Sequence, residues 1–164
     1  MADTIFDAIR GGDAGAVRIL LDGDSGLAEA TAADGSTPLG VASASAHEEI
    51  VALLLTRGAD PARASAGAMK AMPLHHAAAS GSAGMARLLI GAGAPVDARR
   101  GDAPGLTPLM EAARSGDEEL LDLLLRHGAN PDLRDDNEMS AADHARMSGL
   151  DTLAEKLDRS AGLA

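Results

Sequence analysis

The sequence predicts an all-α solenoid of stacked helix-turn-helix hairpins joined by extended finger loops. Two observations carry that prediction. The first is periodicity. Pro38, Pro73 and Pro108 stand 35 residues apart, with Ala141 in the equivalent place 33 further on. Gly58, Gly93 and Gly128 keep the same 35-residue interval, with Gly23 one interval earlier. Self-similarity at a fixed period of this size marks a repeat array, in which each unit buries its apolar face on its neighbours. The second observation is leucine in excess of what one hairpin can bury. Leu120, Leu121, Leu123, Leu124 and Leu125 leave a helix apolar around most of its circumference, so it needs cover on several sides.

The stretch from Leu106 to Pro131 defines the unit. Thr107 is an N-cap whose hydroxyl can accept a bond from a first-turn N–H. Pro108 takes the first helical position, where a missing N–H costs nothing. Leu109, Ala112 and Ala113 form one apolar stripe. Gly116 ends that helix, and Glu118 and Glu119 set negative charge at the positive start of the next. Arg126 and His127 suit its negative end, and Gly128 supplies a left-handed cap.

Thr37-Pro38-Leu39, Pro73-Leu74-His75, Thr107-Pro108-Leu109 and the Gly-Ala-Asp or Gly-Ala-Asn endings resemble the ankyrin repeat. The likeness covers nearly the whole chain, which is identified as a single domain of a small bacterial-type ankyrin repeat protein. It places five repeats, both caps included, at about 1–33, 34–66, 67–102, 103–135 and 136–164.

In chain order, Asp3 and Thr4 are expected to open the first helix, and Thr4 to Asp7 has the spacing of a capping box. Ile5, Ala8 and Ile9 face inward, and Ala16, Val17, Leu20 and Leu21 form the apolar face of the second helix. Asp22 to Asp34 is a long connection anchored by Leu27. The second repeat departs from the family pattern at Gly40, where ankyrins usually have His, and at Ala46, where they usually have Gly. Gly40 in a helix interior is expected to weaken it by up to about 1 kcal/mol relative to alanine. In the third repeat Met72 replaces the capping Thr, which removes a cap worth ~1 kcal/mol. His75 sits at the family's His position, where the resemblance implies structural hydrogen bonds. In the fifth, Asp143 replaces that His, and Glu155, Lys156, Asp158 and Arg159 supply a polar exterior. The connections before repeats two, three and four each carry two residues more than a 33-residue unit.

Composition removes several function classes. The net charge of −11 repels a phosphate backbone, and no basic stripe offsets it. Phe6 is the single aromatic residue, so there is no platform for stacking bases. Without cysteine there are neither disulfides nor thiolate metal sites. No segment has the length of a membrane span, and the acidic start does not read as a signal peptide. A cytoplasmic monomer that binds neither nucleic acid nor membrane is the expectation.

Candidate chemistry is sparse. By repeat alignment Val41, His76, Glu111 and His144 form one column along the first helices. A metal-dependent sensor or enzyme would use His76, Glu111 and His144, but zinc needs ligand atoms within about 2.0–2.2 Å, and these side chains span three repeats. Packing between neighbouring helices is the plainer expectation. Asp22-Gly23-Asp24-Ser25-Gly26 opens like a calcium loop but lacks the third acidic ligand and the bidentate Glu. Gly81-Ser82-Ala83-Gly84 has the wrong spacing for a nucleophile elbow. No acid–base or nucleophile–base pair emerges, and no cofactor is implied.

What the resemblance implies instead is non-enzymatic protein recognition, through the finger loops and the concave face of the first helices. The exposed positions there are Ala44 and Ser45, Ala79 and Ser80, Arg114 and Ser115, and Met147 and Ser148. A basic, Met-containing centre flanked by acidic ends is expected to be the contact region. It comprises Arg63, Met69, Lys70, Met72, His76, Ala79, Ser80, Arg99, Arg100, Glu111, Arg114 and Ser115. Glu48, Glu49, Asp117, Glu118, Glu119 and Asp122 on the second helices read as a solubilising face.

Overall fold

Each hairpin in the structure follows from a cap, a stripe and a stop. The computed structural model describes residues 2–66 and 70–162, and Met69 lies outside them. The first helices are α1 (Ala2–Arg10), α3 (Pro38–Ala44), α5 (Pro73–Ala79), α7 (Pro108–Ser115) and α9 (Ala141–Met147). Their partners are α2 (Ala14–Gly23), α4 (Glu48–Thr56), α6 (Ala83–Gly91), α8 (Glu118–Arg126) and α10 (Asp151–Ala161). The only other regular element among the described residues is a 3₁₀ turn, Ser25–Glu29.

The helices stack in two layers. α1, α3, α5, α7 and α9 pack in succession, and α2, α4, α6 and α8 do the same beside them, while α10 packs on α9. Leu54, Leu89 and Leu124 fill the interior between hairpins with no exposed surface, and Leu39, Leu74 and Leu109 meet them from the first-helix layer. One continuous core results, reaching from Ile5 to Leu157.

Caps behave largely as the sequence predicts. The Thr37 hydroxyl accepts from Gly40 N–H at 3.0 Å, and that of Thr107 from Met110 N–H at 3.4 Å. Asp13, Ser82 and Asp117 cap α2, α6 and α8 in the same way. Gly58, Gly93 and Gly128 adopt φ of +87°, +97° and +86° behind α4, α6 and α8. Met72 has no hydroxyl to offer, and the His75 N–H that a hydroxyl would have served bonds the Met72 carbonyl at 3.0 Å instead, while His75 Nδ1 takes the Met72 N–H at 3.2 Å.

Several expectations are corrected. α1 begins at Ala2, so Asp3 and Thr4 lie within its first turn rather than at its cap. Helix ends are the least legible feature of a sequence. Gly23 is not the counterpart of Gly58. A 35-residue phase would set Ile19 beneath Leu54, but Ile19 is 73% exposed while Val17 and Leu21 are buried. Asp24, in extended conformation, closes α2 instead. The Asp24 carboxylate then accepts from Gly26 N–H at 2.9 Å, which commits it to the 3₁₀ turn rather than to a calcium loop. Gly40 is not a defect either. A Cβ there would lie 2.1 Å from Ser65 Oγ, so the glycine makes room for the following finger.

Each finger is closed by one backbone bond of equivalent position. These are Ala32 N–H to Ser36 O, Ser65 to Ala71, Arg100 to Leu106, and Asp135 to Met139, at 3.0–3.1 Å. The second and third fingers carry the extra residues inside that closure, whereas the first and fourth do not.

Candidate partner-binding face

The first helices present their last turns outward in register. Ala44 and Ser45, Ala79 and Ser80, Arg114 and Ser115, and Met147 and Ser148 are all exposed, as the sequence predicts. Short side chains hold this face low. The hydroxyls of Ser80 and Ser115 fold back on the carbonyls of Ala77 and Ala112, at 3.2 and 3.0 Å. Beside Arg114, an open depression is lined by Ala79, Glu111, Ser115 and Ser148.

The charges around this face are arranged differently from the sequence expectation. The Arg63 guanidinium is turned onto the first connection, bonding Glu29 and Thr31 at 2.6–2.9 Å. Arg99 is paired with Asp136 at 2.6 Å. Arg100 lies beneath the surface, its side chain 14% exposed, held by Asp102 and Glu111 at 2.7 Å each. Arg114 is exposed and sits 3.4 Å from the second Glu111 oxygen. The expected basic centre is therefore a largely neutralised network. Arg100 and Glu111 support the face from below, while Lys70, Met72, Ala79, Ser80, Arg114 and Ser115 reach solvent.

The histidine column is also absorbed into structure. Glu111 is buried and engaged by two arginines. His144 Nε2 meets the Asp135 carboxylate at 2.9 Å, and that carboxylate also accepts from the N–H groups of Asn137 and Met139. Burial alone would raise the Asp135 pKa, but the Met139 and Asn137 N–H groups and His144 hold it below the usual carboxylate value. His76 is half-buried, and burial lowers its pKa, helped by the nearby His75. Among the described residues, no cluster of three or more His, Asp or Glu is placed to hold a metal ion.

His75 does what the resemblance implied. Its Nδ1 accepts from Met72, so Nε2 carries the proton, facing the carbonyls of Ala98 at 2.9 Å and Leu106 at 3.1 Å. One ring thereby ties α5 to the next finger. Burial pushes its pKa down, partly opposed by those two carbonyls.

The second-helix side carries links between repeats. Glu48 reaches Ser82 and the N–H of Met85 on the neighbouring α6, at 3.2 Å to the latter. Arg18–Glu49, Arg57–Asp22, Arg87–Glu119 and Lys156–Asp122 bridge other junctions. Most of these links join residues about one repeat apart. Searching for opposite charges at that separation would have found them in the sequence.

No helix among the described residues is long and apolar enough to cross a membrane. No curated protein matches the chain. The sequence does match the ankyrin repeat over residues 34–65 and ankyrin repeats, in three copies, over 64–135. Together those matches span well over half the chain and fall on the stacked hairpins described above, so the chain belongs to the ankyrin-repeat family.

Proposed function

We propose that this chain is a non-enzymatic binding module that holds a protein partner against the last turns of its first helices and the tips of its central fingers. Ankyrin repeats generally serve protein–protein interaction. The observation that carries the reading is the in-register row of exposed residues at the ends of α3, α5 and α7, small in all but Arg114, with the Arg100–Glu111 ion pair buried beneath it. Ala79, Ser80, Arg114, Ser115 and Met72 form the contact surface, with Lys70, Arg63 and Arg99 at its rim and His76 half-buried at its floor. A face of this kind lets a partner's backbone approach closely at little ordering cost.

Affinity capture from native cell extract, with the partner identified by mass, tests the reading. Ala79→Arg with Ser80→Arg should abolish capture. Glu49→Lys with Glu155→Lys, on the far side, should leave it intact. The opposite pattern would mean that the partner uses the second-helix side.

A further inference from the structure

An open groove of 410 Å³ runs between the second and third fingers. That volume falls within the range of roughly 300–1,000 Å³ typical of sites that take up a ligand. Ala64, Ala66 and Met72 make its walls apolar, Lys70 and Arg99 stand on it, and Gly101 closes one side. No carboxylate is among its described lining residues, in a chain whose net charge is −11. Lys70 is exposed. The Arg99 side chain is 45% exposed, and one of its nitrogens is engaged by Asp136. A guanidinium carries five N–H donors, so Arg99 retains capacity for a second acceptor.

The junction that holds the groove is fastened differently from its neighbours. At the first and third junctions, Asp60 N–H donates to Glu29 and Asn130 N–H to Asp97, at 2.7 and 2.9 Å. The equivalent residue at the second junction is Pro95, which has no N–H to donate. Arg63–Glu29 and Arg99–Asp136 also clamp the flanking fingers. Between the second and third fingers the described contact is backbone, Gly101 N–H to Lys70 O at 3.1 Å. The approach there is close, since a Cβ on Gly101 would lie 2.9 Å from the Lys70 Cβ.

We propose that this groove receives a protein segment presenting one large apolar side chain flanked by carboxylates. The apolar group enters among Ala64, Ala66 and Met72, and the carboxylates meet Lys70 and Arg99. Charge complementarity selects this occupant over a basic one. Asp136 already offsets part of the Arg99 charge, so Lys70 carries most of that selection, and the more distant acidic residues are screened beyond about 8 Å under physiological conditions. The inference rests on the binding-module reading and assigns the chemistry of one part of that surface.

Amide ¹⁵N–¹H spectra of the full chain test it with three synthetic peptides. Acetyl-Asp-Leu-Glu-amide should shift the amides of Ala66, Lys70 and Gly101 saturably at millimolar concentration. Acetyl-Asp-Ala-Glu-amide and acetyl-Lys-Leu-Lys-amide should bind several-fold more weakly. Lys70→Glu should weaken the first peptide by about fivefold, the scale of one exposed ion pair. Equal binding of all three, shifts confined to other residues, no shift at all, or an indifferent Lys70→Glu variant would each overturn the assignment. A partner lost with Ala79→Arg/Ser80→Arg, while no peptide enters the groove, would sink the groove and leave the binding-module reading standing.

Discussion

Arg100 and Asp135 occupy equivalent places on successive fingers and carry opposite charge. Each closes its finger with a backbone N–H bond, and each reaches the first helix that follows, Arg100 to Glu111 and Asp135 to His144. Glu111 and His144 are themselves equivalent, so the same buried contact is built twice with its polarity reversed. What the array needs at this spot is a matched pair, in either orientation. Removing one member of such a pair strands the other charge, which in buried sites costs about 3–5 kcal/mol. Arg114 stays 3.4 Å from Glu111 and softens that cost, so Arg100→Ala should lower stability by about 2 kcal/mol in urea unfolding, whereas Arg100→Met with Glu111→Leu should lie close to the parent. If the single variant melts like the parent, the network does not hold the face.

Acid should loosen the third finger. The neutral His75 ring is favoured in the folded chain, because burial depresses its pKa. The unfolded chain takes up a proton from about pH 6.5 downward, so below that pH it is stabilised relative to the folded chain. This part of the stability is present above the unfolded pKa and is lost as pH falls towards the folded one. Protonating Nδ1 would also remove the acceptor of Met72 N–H. Unfolding free energy should decline as pH falls below about 6.5, and His75→Gln should reduce that decline, leaving the part that His76 contributes. An unchanged slope in the variant would assign the decline to other groups.

Gly40 offers a sign test. Helix propensity alone says that Gly40→Ala should stabilise by up to about 1 kcal/mol. The 2.1 Å clash with Ser65 Oγ says the reverse. The expected outcome is that Gly40→Ala destabilises by itself and gains stability when combined with Ser65→Ala. Calorimetric melting of the three variants decides it.

Ser43 carries a buried hydroxyl without a partner. Alanine stands at the equivalent Ala78 and Ala113, both fully buried. Leaving a hydroxyl unsatisfied in the interior costs about 1–3 kcal/mol, so Ser43→Ala should raise the melting temperature. A lower melting temperature would show that the hydroxyl is satisfied in solution.

Ala46 holds φ +58° in the hairpin turn where Gly81, Gly116 and Gly149 sit in the other repeats. A Cβ in the left-handed region costs roughly 1–2 kcal/mol. Ala46→Gly should recover about 1 kcal/mol of this, less the entropy that glycine adds to the unfolded chain. Urea titration would measure it, and a destabilised variant would contradict the strain.

The hairpins and their leucine core were legible because they follow local rules. Thr107, Gly116 and Gly128 act within one or two turns of their own position, and Leu89 sits in a strict period. The electrostatics of the face was not legible in the same way. Arg63, Arg99 and Arg100 look like free surface cations until stacking brings Glu29, Asp136 and Glu111 beside them. Gly40 misleads for the same reason, since the atom nearest to a Cβ there, Ser65 Oγ, arrives from the next finger. The first hairpin went astray for a different one. Its glycine matched the period while its buried residues, Val17 and Leu21, did not.

The backbone bonds that close the fingers divide the chain into two regimes with separate rules. Helical residues behind the Ser65–Ala71 and Arg100–Leu106 bonds must satisfy a shared interior. In front of the Arg100–Leu106 bond, Asp102 still reaches back to hold Arg100, whereas Gly101 and Ala103 face solvent. New recognition can therefore be written at an exposed tip position such as Ala103 without touching the leucine core behind it.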